Sequence, residues 1–184
     1  MTEKLIVIFN GPRAAGKSYL SEQIVNLFNA KKISMSKLLL NEANKHNMST
    51  TDFVEDILKN SPELKVKIIM NTIIEILKKN NVLCIESIYN QKEIDYLQKF
   101  VAEKYKHSKV ISVYLDSKLD TLKKRLMKRE HISEKTALLN LLLVNLGRHK
   151  LGMHSIKYDI IHPHENRKDS NKIINKIFKR RPKL

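Results

Sequence analysis

Eight consecutive residues near the N-terminus have the spacing of a phosphate-binding loop. They read GPRAAGKS, from Gly11 to Ser18, and match the pattern G-x-x-x-x-G-K-[ST] at every position. Glycine at both ends permits backbone angles at which successive N–H groups surround a phosphate. A helical pattern follows directly, and the N-terminal end of a helix attracts anions. The spacing therefore predicts a nucleotide phosphate site.

Two side chains of this loop have chemical tasks in such a site. Lys17 is expected to reach the β- and γ-phosphates, and the Ser18 hydroxyl is placed to hold Mg²⁺. The residues expected to contact the nucleotide are Gly11, Pro12, Arg13, Ala14, Ala15, Gly16, Lys17, Ser18 and Tyr19. The loop alone does not decide whether the nucleotide is a phosphoryl donor, a fuel or a switch.

A carboxylate suited to this chemistry ends a second apolar run. Glu86 is the last residue of VLCIE, Val82–Glu86. If this strand lies parallel to the first one, Glu86 comes next to the phosphate loop, since ligands bind at the carboxyl ends of such strands. There it would reach Mg²⁺ through water or act as a base on an acceptor hydroxyl. The alternative is a solvated charge at the end of a strand.

Arginines further along the chain supply candidate cations for a transferred phosphoryl group. Arg125 and Arg129 in TLKKRLMKRE are four residues apart, so they project from one face of a helix. Arg148, beyond the next helical segment, is expected to approach from the other side. The alternative for the pair is an ordinary solvated basic face.

These residues need a scaffold, and the pattern of the chain predicts one. Short apolar runs rich in β-branched residues alternate with helical patterns, which indicates parallel strands joined by right-handed crossovers. Strands are predicted at Leu5–Asn10, Lys32–Met35, Val82–Glu86, Lys109–Leu115 and Tyr158–Ile161. The predicted fold is a doubly wound α/β domain spanning 1–184. Asp116 is expected to cap the helix after the fourth strand.

Composition sets wider bounds. The formal net charge of +16 attracts anions of any kind, including nucleotides, nucleic acid and acidic membranes. The lone Cys84 excludes an intramolecular disulfide and favours a cytoplasmic protein. No apolar run is long enough for a membrane span. The oligomeric state is not predicted.

The loop, the strand-ending acid and the RLMKR helix together resemble the nucleoside monophosphate kinase group of P-loop kinases. The order of segments over nearly the whole chain is similar to that of archaeal dephospho-CoA-kinase-like proteins. Their segments SMGD, DGIR and ELGIG correspond here to SMSK at Ser34–Lys37, ESIY at Glu86–Tyr89 and the stretch GRHKLGMHSIKYDIIHP at 147–163.

The resemblance implies a three-layer P-loop kinase fold with a five-stranded parallel sheet, a helical acceptor-site insert at about 36–79 and an arginine-bearing lid at about 128–152. It implies Mg-ATP as the donor and a nucleotide-like acceptor: a nucleoside monophosphate, a nucleoside or a dephospho-CoA-like molecule. By position, Arg125 would lie against the adenine or the lid, Arg129 would contact the transferred phosphoryl group, and the turn His162–Asn166 would border the base.

The sequence departs from the family at the acceptor side. The family has an Asp where Ser36 or Lys37 stands and an Arg where Tyr89 stands. No arginine occurs between Arg13 and Arg125. A clamp on an acceptor phosphate must therefore come from Arg13 or from lysines, or be absent. The candidate lysines are Lys37, Lys65 and Lys92.

Two other functions remain open at this point. The charge and the basic tail KRRPKL also fit a nucleotide-dependent nucleic-acid-binding protein or a polynucleotide kinase. The missing family Asp and Arg fit an inactive kinase-fold scaffold. A zinc site is not expected, because no Cys or carboxylate accompanies the histidines at ligand spacing. Surface or lid positions are expected instead for His107, His131, His149, His154, His162 and His164.

Overall fold

The computed structural model describes residues 3–60, 62–88, 90–150, 155–166 and 168–179, with the side chains of 51, 58–60, 62–67 and 147–150 left undescribed. Strands and helices alternate along the chain, as the sequence pattern predicts. In order they are β1 (Leu5–Asn10), α1 (Lys17–Phe28), β2 (Lys31–Ser34), α2 (Met35–Lys45), α3 (Thr50–Asn60), α4 (Pro62–Lys79), β3 (Val82–Glu86), α5 (Gln91–Lys104), β4 (Lys109–Asp116), α6 (Leu119–Glu130), α7 (Glu134–Lys150), β5 (Ile160–Pro163) and α8 (Lys168–Lys179).

The five strands form one sheet in the order β2-β3-β1-β4-β5, and every neighbouring pair is parallel. This confirms the predicted five-stranded parallel sheet of an α/β fold. Because β1 lies at the centre, the phosphate loop leaves the middle of the sheet. Phe9 pairs with Glu86 on β3, which brings the predicted acid to the same edge of the sheet.

The sheet is buried on both faces, which gives the fold its three layers. Side chains of β1 alternate between the faces, so that Leu5, Val7 and Phe9 enter one core and Ile6 and Ile8 enter the other. The first core includes residues of α1, α6, α7 and α8. The second includes residues of α4 and α5. All six residues of β1 are buried, so the base of the phosphate loop is anchored from both sides.

Helices α2 and α3 have a small core of their own. It contains Leu39 and Ala43 from α2 and Phe53 and Ile57 from α3, all nearly inaccessible to solvent. These helices and α4 correspond to the predicted insert at 36–79, whose role at the acceptor site stays a prediction. The predicted lid at 128–152 corresponds to the end of α6 and to α7, with 151 and 152 outside the described residues.

Two details near the site differ from the sequence prediction. Strand β5 begins at Ile160 rather than Tyr158, because the Asp159 carboxylate instead accepts hydrogen bonds from the Ser112 amide and hydroxyl, each 2.8 Å away. Asp116 does not cap α6. Glu165, from the turn after β5, accepts a hydrogen bond of 2.7 Å from the Lys118 amide at that helix start.

None of the helices in the described part of the chain combines the length and the apolar character that a bilayer crossing requires.

Candidate functional site

The phosphate loop joins β1 to α1 and has the backbone conformation its sequence predicts. Positive φ angles occur at Gly11 (139°), Ala14 (64°) and Gly16 (98°). Gly16 is the left-handed N-cap of α1, so the amides of the first helical turn face the loop. This arrangement of N–H groups is the one that binds an anion at a helix N-terminus.

Both glycines are required by close contacts as well as by backbone angle. A Cβ at Gly11 would lie 2.5 Å from the backbone oxygen of Leu115 on β4. A Cβ at Gly16 would lie 2.5 Å from Cε1 and 2.7 Å from Nδ1 of His164. The loop is therefore packed against β4 on one side and against the turn after β5 on the other.

The Lys17 ammonium lies across the loop. Its Nζ donates hydrogen bonds to the backbone oxygens of Gly11 (2.9 Å) and Pro12 (2.8 Å). The side chain is held over the amides that would surround a phosphate. A lysine in this position adds a full positive charge to the partial charges of the backbone amides.

Ser18 and Glu86 form a pair at the ends of α1 and β3. The Ser18 hydroxyl donates a 2.7 Å hydrogen bond to Glu86 Oε2, and Glu86 is 8% exposed. A hydroxyl and a carboxylate beside a phosphate site fit Mg²⁺, which takes one or two protein oxygens and completes its shell with phosphate and water. No group of three or more His, Cys, Asp or Glu with metal-site geometry occurs among the described residues.

Asn10 anchors the turn that follows Glu86, and sequence reasoning missed it. It is fully buried, and its Oδ1 accepts a 2.9 Å hydrogen bond from the amide of Ile88. Ser87, which lies between Glu86 and Ile88 in the chain, has a positive φ of 70°, a conformation that costs free energy in a non-glycine residue. The sequence feature that could have identified it is a polar residue at the end of an apolar strand, directly before the phosphate loop.

The loop borders an open cleft of about 430 Å³. Four of the five predicted catalytic residues, Lys17, Glu86, Arg125 and Arg129, line it together with the loop. The side chain of Arg148 lies outside the part of the chain that the structure describes. The lining residues are Arg13, Ala14, Gly16, Lys17, Ser18, Tyr19, Ser34, Ser36, Glu86, Ser87, Arg125 and Arg129.

Arg125, on α6, contacts the backbone of the phosphate loop. Its Nη1 lies 3.4 Å from the backbone oxygens of both Ala14 and Ala15, and its Nη2 donates a 2.9 Å hydrogen bond to the backbone oxygen of His164. The guanidinium thus connects α6, the phosphate loop and the turn after β5. In this structure its donors serve the protein backbone.

Arg13 and Arg129 are both held by one carboxylate. Glu130 Oε1 accepts hydrogen bonds from Arg13 Nη2 (2.8 Å) and from Arg129 Nη2 (2.5 Å). Hydrogen bonding by Arg129 lowers the pKa of Glu130, and Arg13 adds to the effect. Two of the cations that line the cleft are therefore partly neutralised. Sequence reasoning did not single out Glu130, because an acid on a basic helix most often pairs with a basic residue of the same helix and has no role at a site.

The surface expectation for the histidines is wrong at two positions. His162, within β5, is 6% exposed, and His164, in the turn after β5, is 3% exposed. His164 Nδ1 is 2.7 Å from the Ala15 backbone oxygen, inside the phosphate loop. His107 and His131 are exposed, as expected, while the side chain of His149 and the whole of His154 lie outside the described residues.

The side of the cleft where an acceptor is predicted carries hydroxyl groups. Ser34, Ser36 and Ser87 line it near Glu86. Lys37 and Lys92 are exposed and are not among the lining residues. The side chain of Lys65 and residue Tyr89 lie outside the described part of the chain. Of the residues predicted to clamp an acceptor phosphate, Arg13 is the one found among the described residues that line the cleft.

Comparison with known proteins agrees with this geometry. The sequence model of a family described as "AAA domain" matches residues 10–137, which is more than half of the chain and includes the whole phosphate loop. No curated protein matches the sequence significantly.

Solved structures show the same fold at low sequence identity. TT1252 from Thermus thermophilus has a TM-score of 0.60 at 10% identity, covering 100% of each chain. An uncharacterized protein from Eubacterium ventriosum has a TM-score of 0.57 at 17% identity, covering 97% of this chain and 100% of the other. Shikimate kinase from Bacteroides thetaiotaomicron has a TM-score of 0.53 at 13% identity, covering 96% of each. At these identities the likeness is one of fold.

Proposed function

Because this chain belongs to the family of AAA domains, we propose that it is an ATP-dependent small-molecule kinase that transfers the γ-phosphoryl group to a nucleotide-like acceptor. The fold confirms the resemblance to the P-loop nucleotide kinase group, and no finding tests the closeness to dephospho-CoA-kinase-like proteins. The observation that carries the proposal is the Ser18–Glu86 hydrogen bond of 2.7 Å beside a complete phosphate loop. It brings a metal-binding hydroxyl and a carboxylate to one end of the cleft.

The donor half of the site is proposed to bind the triphosphate of ATP. The amides from Gly11 to Ser18 and the helix α1 dipole attract the phosphate oxygens. Lys17 exchanges its two backbone oxygen partners for phosphate oxygens. Arg129 approaches the transferred group once it leaves Glu130. These contacts stabilise the charge on the phosphoryl oxygens, which is the main catalytic requirement in this reaction.

Mg²⁺ fits the site, with the Ser18 hydroxyl and the Glu86 carboxylate as its protein ligands. When bound, it neutralises charge on the β- and γ-phosphates.

In the proposed reaction, the hydroxyl oxygen of the acceptor forms a bond to the γ-phosphorus. The bond from that phosphorus to the β–γ bridging oxygen breaks, and ADP leaves with the electron pair. The hydroxyl proton passes to a base, for which Glu86 is the candidate because it is the one carboxylate among the described residues that line the cleft. Glu86→Gln separates the two roles: a lost base lowers kcat, whereas a lost metal ligand raises the Mg²⁺ concentration required.

The acceptor is proposed to lie between Glu86 and the helices α2 to α4. Hydroxyl groups of Ser34, Ser36 and Ser87 on that side suit a polar, hydroxyl-bearing molecule. A nucleoside, a nucleoside monophosphate and a dephospho-CoA-like molecule all meet this description, and Arg13 would reach a phosphate on the acceptor once it leaves Glu130. The chain's lone, buried cysteine favours a cytoplasmic location, which stays a prediction.

The direct test is phosphoryl transfer from γ-labelled ATP to a panel of nucleosides, nucleoside monophosphates and dephospho-CoA. We expect transfer to at least one acceptor, dependent on Mg²⁺ and abolished in Lys17→Ala. Lys99→Ala, which removes an exposed lysine on α5, is the matched control and should retain activity. ATP binding without transfer to any member of the panel would count against the kinase proposal.

The net charge of +16 favours a second candidate, a nucleotide-dependent nucleic-acid-binding protein or polynucleotide kinase. Oligonucleotide affinity that falls steeply with salt, together with transfer to a 5′ hydroxyl, would support it. Weak oligonucleotide binding at physiological salt would dismiss it. An inactive scaffold would instead keep its cellular function in the Lys17→Ala variant.

A further inference from the structure

A buried histidine lies beneath the phosphate loop and contacts it directly. His164 is in the turn between β5 and α8, and its ring packs against Gly16 where a Cβ would be 2.5 Å away. Its backbone is held by three bonds: its amide donates to the Asp116 oxygen, and its own oxygen accepts from Ser117 Oγ (2.8 Å) and Arg125 Nη2 (2.9 Å). The ring is therefore fixed in place by the scaffold rather than by the loop.

The hydrogen bonds of the ring determine its protonation. Nδ1 is 2.7 Å from the Ala15 backbone oxygen, and because a carbonyl only accepts, Nδ1 must carry the proton. Nε2, 3.1 Å from Ser170 Oγ, then accepts from the serine hydroxyl when the ring is neutral. Both ring nitrogens are used by the protein, so His164 is satisfied without a ligand.

The charged and titratable groups around the ring come from three elements. Arg125 on α6 and His162 on β5 disfavour a positive ring, whereas Asp169 on α8 favours one. Burial is the largest effect and lowers the pKa of His164 below its usual value, and the Ala15 hydrogen bond opposes it. The neutral ring with its proton on Nδ1 is the form that matches the contacts.

The bond to Ala15 controls the direction of an amide that the loop needs. The Ala15 carbonyl and the Gly16 N–H belong to one trans peptide unit, so they point in opposite directions. With the carbonyl turned to His164, the Gly16 amide is turned away from the ring, and Gly16 lines the cleft. We propose that His164 is a positioning residue of the phosphate loop, which holds the Ala15–Gly16 peptide in the orientation that presents its N–H to a polyphosphate.

This inference rests on the polyphosphate binding in the proposed function, and not on the identity of an acceptor. Its test compares His164→Leu, which removes the donor, with His164→Asn, whose side-chain N–H group occupies the position of Nδ1. Ser112→Ala is the control: it removes the hydroxyl that donates to the Asp159 carboxylate (2.8 Å) and accepts from the Asp159 amide (3.1 Å), which lowers stability without touching the site. Dissociation constants are measured by calorimetry for Mg-ATP and for Mg-tripolyphosphate, which lacks a base and a sugar.

We expect His164→Leu to weaken both probes roughly tenfold, because the Ala15 carbonyl loses its short hydrogen bond and keeps only the 3.4 Å contact with Arg125 Nη1, which leaves the peptide freer to turn. His164→Asn should bind both probes within about threefold of the wild type, because its side-chain N–H still donates to the Ala15 carbonyl. Ser112→Ala should bind both probes like the wild type. If the leucine variant does not fold, His164→Gln takes its place, since its amide reaches the position of Nε2 and not that of Nδ1.

Three results would overturn the inference: unchanged affinity in His164→Leu, weakened ATP with unchanged tripolyphosphate, or equal weakening in His164→Asn and Ser112→Ala. The second would mean that the turn acts on the base, and the third that lost stability explains the effect. Wild-type binding with the expected pattern but no transfer to any acceptor would leave the inference standing and refute the kinase proposal. A wild-type protein that binds neither probe would refute both.

Discussion

Replacing Gly16 by alanine tests the contact between the phosphate loop and the turn after β5. The new Cβ would lie 2.5 Å from Cε1 of His164, and the residue would keep a φ of 98°. Such a backbone conformation costs about 1–3 kcal/mol in a non-glycine residue. Displacing the ring also breaks its bond to Ala15, at about 1 kcal/mol. We expect Gly16→Ala to lower the free energy of unfolding by about 2–4 kcal/mol.

The two parts of this cost can be separated by a double-mutant cycle. In a His164→Ala background the ring is absent, so the backbone strain remains and the steric part disappears. Gly11→Ala is the matched control, because its Cβ would meet the backbone oxygen of Leu115 at 2.5 Å, which no His164 variant relieves. Urea unfolding of the six proteins, each with and without Mg-ATP, gives the cycle for stability and for binding.

The expected result is a coupling of about 1–2 kcal/mol between positions 16 and 164 and none between 11 and 164. Additive effects at 16 and 164 would show that the ring yields without cost. In that case the loop does not depend on the turn after β5, and the reasoning from the close contact is refuted.

Three further predictions concern charge. Lys17→Ala should lose at least about 100-fold in kcat/KM, as for other preorganised donors, and the rise in Tm on adding Mg-ATP should shrink, measured by steady-state assay and thermal melting. Glu130→Gln should bind Mg-ATP severalfold more tightly at low salt, because Arg13 and Arg129 lose the carboxylate they share; equal affinity by calorimetry would refute this. Burial lowers the pKa of His164 from its ordinary value of 6.5, so as the pH falls below 6.5 the unfolded chain binds a proton at this residue before the folded chain does. The free energy of unfolding of the wild type should therefore fall below pH 6.5 by more than that of His164→Asn, as measured by urea unfolding above and below that pH.

The sheet and the phosphate loop could be predicted because local sequence determines them. A buried parallel strand requires a continuous apolar run, and β1, β3 and β4 each have one. The start of α5 is another local feature: the side chain of its N-cap residue, Asn90, accepts a 2.9 Å hydrogen bond from the Glu93 amide three residues later. In these cases the residues that decide the structure are neighbours in the chain.

Contacts between distant segments could not be predicted in this way. Glu165 replaces Asp116 as the acceptor at the start of α6, and His164 meets Ala15 across almost the whole chain. Neither pairing has a spacing that a sequence pattern encodes. The burial of Asn10 beside Ile88 likewise depends on the turn that follows β3. Sequence reasoning therefore did not identify the residues that hold the groups of the candidate site in position.

The central place of β1 in the sheet also bears on how the protein is made. Its two partners are β3 and β4, which end at Glu86 and Asp116, so a nascent chain has no strand to pair with β1 until α1, β2 and helices α2 to α4 have also left the ribosome. The loop is thus synthesised before the strands that anchor it, and it acquires its structure only after they have been made. Until then an apolar segment stays unpaired, and that interval is where chaperones would be required.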